Sequence, residues 1–124
     1  MLVFRKEQMR AMAQATLEAF QGRLTEQIRE DFPSDAEALG SEKLKSVVRG
    51  GVEKALAYGF ETERDLSRYL YLMFTFGAGF DKDPAFPWAR EILALEAAPD
   101  SKMQQLYENA QQFEHLGRGI AASS

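Results

Sequence analysis

Two aspartates one residue apart, Asp81 and Asp83, are the best polar candidates for chemistry in this chain. They sit in the glycine-flanked stretch Gly77-Ala78-Gly79-Phe80-Asp81-Lys82-Asp83-Pro84. Carboxylate oxygens spaced in this way could chelate a hard cation, but a calcium loop needs further oxygen ligands, an internal Gly and a terminal Glu. Pro84 interrupts that pattern. The pair reads better as structure, with Asp83 capping a turn or the helix after Pro84 and Asp81 solvated. The single histidine, His115, falls in the last turn of the last expected helix, where a cation interacts well with the helix dipole. Without Cys or a second His it makes neither a zinc site nor a Cys–His pair. Other acid pairs, Glu61 with Glu63 and Glu30 with Asp31, fall on surface faces or helix ends. Glycoside hydrolysis needs two carboxylates at a defined separation in space, which sequence spacing does not set. No phosphate loop, nucleophile elbow or zinc-binding helix motif is present. Neither catalytic residues nor a metal or cofactor are therefore expected.

Aromatic residues carry the second kind of signal. Phe74, Phe76, Phe80, Phe86 and Trp88 crowd the stretch from Tyr58 to Leu93, together with Tyr58, Tyr69 and Tyr71. One reading makes them a core corner where two helices and their loop pack together. The other makes part of the cluster a partner-binding groove, because Phe, Tyr and Trp are enriched at interface hot spots. Tyr69 and Tyr71 are two apart on a helix and cannot both face inward. Among Tyr71, Leu72 and Thr75 a second, less buried face is expected. A helix apolar almost all round is either central to its bundle or covered by something else. The residues expected to meet a partner are Tyr71, Phe76, Phe80, Asp81, Asp83, Phe86 and Trp88.

The elements that must hold these residues are helices. From Arg5 to Phe32, apolar residues recur in steps of three and four at Met9, Met12, Ala13, Leu17, Phe20, Leu24, Ile28 and Phe32, which predicts one long amphipathic helix. Pro33 ends it, and Pro33-Ser34-Asp35 opens a short helical piece stopping at Gly40. Ser41 is expected as the N-cap of a helix burying Leu44, Val47, Val48, Val52, Ala55 and Leu56, with Gly59 at its C′ position. Gly50-Gly51 lies in mid-helix, where each glycine costs about 1 kcal/mol relative to Ala. Close approach of a neighbouring helix, a hinge or a docking notch would each explain it. Thr62-Glu63-Arg64-Asp65 resembles a capping box opening a helix with Leu66, Tyr69, Leu70, Met73 and Phe74 inward. Pro87 suits the first turn of a further helix carrying Trp88, Ile92, Leu93 and Leu95. After Pro99-Asp100-Ser101, a last helix using Met103, Leu106, Tyr107, Ala110, Phe113 and Leu116 is expected to end at Gly117, leaving 118–124 as a frayed tail. No stretch alternates like a strand. The expectation is a single all-α domain of five to six helices.

Composition narrows the function classes. With 124 residues, 45% hydrophobic and 27% charged, the chain is long enough to bury a substantial core and ordinary for a globular protein. A net charge of −4 argues against nucleic acid, whose phosphates attract basic surfaces. No apolar run reaches the roughly 18 residues that a membrane span requires, and MLVFRKEQMR lacks the apolar core of a signal peptide. The absence of cysteine excludes disulfides and thiolate chemistry. A cytoplasmic location is the default expectation.

The run YGFETERDLSRYLYLMFTFGAGFDKDPAFPWAREIL, with KMQQLYENA after it, resembles a family of small all-helical proteins encoded beside the spike and PAAR-type tip proteins of bacterial type VI secretion effector clusters. The matching elements are Tyr58-Gly59, Glu63-Arg64-Asp65, Met73-Phe74, Phe76-Gly77, Phe80-Asp81, Asp83-Pro84 and Pro87-Trp88-Ala89, with Phe4, Lys6 and Met9 in the opening helix. The resemblance covers most of residues 4–110. It implies a non-catalytic accessory protein, an adaptor or chaperone for a secreted effector or a spike or tip protein, and supplies no catalytic residues. An immunity protein that neutralises a toxin is the alternative, and a small carboxylate-dependent hydrolase a third. A homodimer formed through the long first helix is also compatible with the pattern.

Overall fold

Short-range chemistry sets where each helix starts and stops. A computed structural model describes the backbone of residues 14–123 and the side chains of residues 15–112. Among these residues there are six helices and no strand: α1 Gln14–Asp31, α2 Pro33–Leu39, α3 Ser41–Ala57, α4 Glu63–Phe76, α5 Pro87–Leu93 and α6 Pro99–Ser123. The all-α expectation holds. The helix expected from Arg5 to Phe32 is described only as α1, Gln14–Asp31, and Arg5, Met9, Met12 and Ala13 lie outside the described residues. The chain divides into two compact units, residues 1–78 and 79–124.

In the first unit α1 buries Phe20, Leu24 and Ile28, the stripe its period predicts. Phe32 bends the chain, and Pro33 takes the first turn of α2, where its missing N–H costs nothing. Gly40 links α2 to α3 at φ +80°, a left-handed region that favours glycine. Ser41 is not the side-chain cap the sequence suggested: it is the first helical residue, and Gly40 holds the N-cap position without a side chain. α3 buries Leu44, Val48, Val52 and Ala55, while Val47 and Leu56 are half-buried. At its end the Gly59 N–H donates to Leu56 O at 3.0 Å and the Phe60 N–H to Ala55 O at 3.1 Å. With Gly59 at φ +98°, this is a Schellman closure. The Phe60 ring that follows is fully buried.

Thr62 then caps α4, its Oγ1 accepting the Asp65 N–H at 3.1 Å. α4 buries Leu66, Tyr69, Leu70, Leu72 and Met73, so apolar contact extends round more than one side of the helix. It packs on both α1 and α3. Arg23 pairs with Glu63, and the Tyr71 hydroxyl donates to the Asp31 carboxylate. Both links join residues forty apart, so α1 and α4 run in the same sense. α3 doubles back into α4 through Tyr58–Thr62 and therefore runs opposite to both.

The mid-helix glycines separate cleanly. A Cβ at Gly51 would lie 2.6 Å from Leu70 Cδ1 and 2.7 Å from Met73 Sδ, whereas one at Gly50 would meet nothing within 4 Å. Close helix approach accounts for Gly51 and leaves Gly50 in open space.

In the second unit α5 buries Ala89, Ile92 and Leu93, and α6 buries Met103, Leu106 and Ala110. The two helices pack on each other. Lys102 Nζ donates to Leu93 O at 3.2 Å, satisfying a carbonyl that the end of α5 leaves open. Two expectations fail here. Leu95 lies beyond the end of α5 and is 42% exposed, while Trp88 stands in α5 as expected and is half-buried. The backbone of α6 also continues past Gly117 to Ser123, so the helix does not stop where glycine suggested. The side chains of Phe113, His115 and Leu116 lie outside the described residues.

Candidate partner-binding surface

The loop after α4 is built by glycine and aspartate. Gly77, at φ +114°, ends α4 while its N–H donates to Met73 O at 2.8 Å. The Lys82 N–H then reaches Gly79 O at 3.1 Å, which turns the chain. Asp83 Oδ1 accepts the Ala85 N–H at 2.9 Å, and its carbonyl accepts the Phe86 N–H at 2.9 Å. Asp83 is the turn-capping residue that its position before Pro84 predicts.

Asp81 is different from its expectation. It is 1% exposed and not solvated, and Phe80 before it is fully buried. A buried aromatic ring draws the adjacent backbone inward, and Asp81 goes with it. One carboxylate is enclosed and the other is exposed, although they stand one residue apart. Among the described residues no group of three or more His, Asp or Glu is placed to hold a metal ion.

The seven residues expected to meet a partner are thus dispersed. Tyr71 and Phe76 belong to the first unit, Phe80 to Trp88 to the second. Tyr71 is half-buried, with its hydroxyl on Asp31 and its ring edge-on to Phe32 at 5.3 Å between centroids. It fastens α4 to α1. Phe76 is half-buried in the last turn of α4, while Phe80 and Asp81 are interior and offer no surface.

Phe86 and Trp88 form the remaining pair. Both are half-buried, and their rings meet edge to face with centroids 6.1 Å apart and planes at 64°. Pro87 between them opens α5, so both rings stand on backbone with little freedom. In the same unit Lys82, Asp83, Pro84, Pro87, Arg90 and Glu91 line an open groove of about 410 Å³. Its polar rim balances two cations against two anions.

A larger groove, about 530 Å³, lies between α1 and α3. Sequence reasoning did not single it out. The available signal was the four-residue spacing of Lys45, Arg49 and Glu53, which aligns their side chains on one face of α3.

No known protein family, characterised protein or solved structure matches this chain. Among the described residues, no helix is long and apolar enough to cross a membrane.

Proposed function

We propose that this chain is a non-catalytic accessory protein that works by binding another protein through the Phe86–Trp88 corner. The observation that carries this reading is the pair itself: two large aromatic rings, half-exposed and held edge to face at 6.1 Å on a proline-fixed helix start. Rigid aromatics lose little conformational entropy on binding, and such residues anchor interfaces. The charged groove that Pro84 and Pro87 help to line lies in the same unit and supplies polar groups of both signs for orientation.

The partner class rests only on the resemblance over most of residues 4–110: a secreted effector or a spike or PAAR-type tip protein, served by an adaptor or chaperone in the cytoplasm. The test is reconstitution with a secreted type VI effector and a spike or PAAR-type tip protein. The unmodified chain should form a stoichiometric complex, and Phe86→Ala should weaken it while far-UV circular dichroism stays unchanged. A complex that Phe86→Ala leaves intact removes the corner as the docking point. Inhibition of a toxin's activity within the complex would assign the immunity role in place of the adaptor role.

A further inference from the structure

The groove between α1 and α3 holds charges that the fold of its own unit does not use. Lys45, Arg49 and Glu53 are exposed on its α3 wall at four-residue steps, so they form a row along one side of that helix. None of the three makes an ion pair among the described residues. The α1 wall is different. Glu26 is held by Arg29 at 2.9 Å, and Glu18 has an interaction of its own. Thr25 is buried, and its hydroxyl is satisfied by donating to Gln21 O at 2.7 Å. The uncommitted charge of the groove therefore lies on α3, in the order base, base, acid. Eight residues at about 1.5 Å each make the row roughly 12 Å long.

That spacing selects a helix as the occupant. A helix laid along the groove presents its own side chains at the same four-residue steps, and a strand does not. Arg49 stands at the middle of the row, and because α1 and α3 run in opposite senses the part of α1 across from it is Gly22. Gly22 is exposed, and the place a Cβ would take has nothing within 4 Å. A partner backbone can approach α1 there without displacing a side chain. Half-buried Leu17 adds apolar surface to the same groove.

We propose that this groove seats a helix of a partner protein whose edge reads acid, acid, base at four-residue steps. Its two carboxylates face Lys45 and Arg49, and its cation faces Glu53. This is a second docking surface, in the first unit, and it does not rest on the Phe86–Trp88 corner. Solvent-rimmed ion pairs add little affinity each, so the row sets which helix binds, and in which direction, more than how tightly.

A phage-displayed library of amphipathic helices with randomised polar edges tests this, selected against the full chain carrying Phe86→Ala. That substitution keeps the other docking surface out of the result. Enriched helices should carry two acids four residues apart and a base four residues beyond, at whichever end their direction requires. A synthetic peptide of an enriched sequence should bind the purified chain at low salt. It should lose at least roughly tenfold in affinity to Lys45→Glu/Arg49→Glu. The same peptide with its two acids changed to lysine should prefer that variant to the parent chain, a reversal that misfolding cannot produce. Enrichment of helices without this charge order overturns the proposal, as does an affinity indifferent to the charge reversal. An absence of any enriched helix overturns it too, whether the chain sediments as a monomer or as a dimer closed through this groove.

Discussion

Adjacent glycines on α3 should respond in opposite directions to the same substitution. At Gly51 a new Cβ would stand 2.6 Å from Leu70 Cδ1, 2.7 Å from Met73 Sδ and 3.1 Å from Met73 Cε. Carbon contacts are comfortable at about 3.5–4.0 Å, so both neighbours must move by up to about 1 Å. Leu70 and Met73 are themselves buried, at 0% and 6% exposure, and have little room to do so. Overpacking of this kind costs about 1–3 kcal/mol, against a gain of about 0.5–1 kcal/mol from replacing a mid-helix glycine. Gly51→Ala should therefore destabilise the chain by about 0.5–2 kcal/mol. Gly50→Ala meets nothing within 4 Å and should keep the whole helical gain of about 0.5–1 kcal/mol. The two variants should differ by about 1–3 kcal/mol, which places their urea midpoints roughly 1 M apart for an ordinary denaturant slope. Urea unfolding followed by far-UV circular dichroism at a low protein concentration reads this directly. If Gly51→Ala proves as stable as Gly50→Ala, the close packing of α3 on α4 is not the reason for the glycine pair.

Three further outcomes follow from the same packing. Phe60→Ala empties a fully buried site at the Schellman closure and should cost about 3–5 kcal/mol in chemical denaturation; a loss below 1 kcal/mol would mean the ring is not core. Thr62→Ala removes the oxygen that accepts the Asp65 N–H at 3.1 Å and should cost about 1 kcal/mol, most of it recovered by Thr62→Ser. The Arg23–Glu63 pair, with side-chain exposures of 64% and 29%, should contribute no more than about 0.5 kcal/mol in a double-mutant cycle, fading with added salt. A coupling of 2 kcal/mol that resists salt would contradict its assignment as a surface link.

Helix starts and stops were legible in the sequence wherever one residue carried the reason. Pro33 and Pro87 open helices, Thr62 caps α4, and Gly59 closes α3 at positive φ. Each of those is decided by backbone geometry within a few residues. Ser41 misled because a glycine with the required φ already held the N-cap position, and nothing in the residue types ranks one above the other. Gly117 misled for the opposite reason: glycine raises the cost of a helix without forbidding it.

The candidate surface was legible only in part. Asp83 behaves as its place before Pro84 requires, while the burial of Asp81 depends on where the neighbouring Phe80 ring goes. Burial of that kind is set by tertiary packing and leaves no local signal. The aromatic cluster was visible as composition, but its division into interior Phe80, clasping Tyr71 and the half-exposed Phe86–Trp88 pair was not. The α1–α3 groove needed the relative direction of two helices, which spacing along one helix does not contain.

Trp88 is the one tryptophan in the chain, so it can report on the corner without interference. The most direct measurement is fluorine NMR of the protein labelled with 5-fluorotryptophan, titrated with the proposed partners, a secreted type VI effector and a spike or PAAR-type tip protein. A saturable shift of the single resonance, abolished by Phe86→Ala, is the result expected if the Phe86–Trp88 corner is the docking point. A complex that forms by sedimentation while that resonance stays unmoved would contradict it.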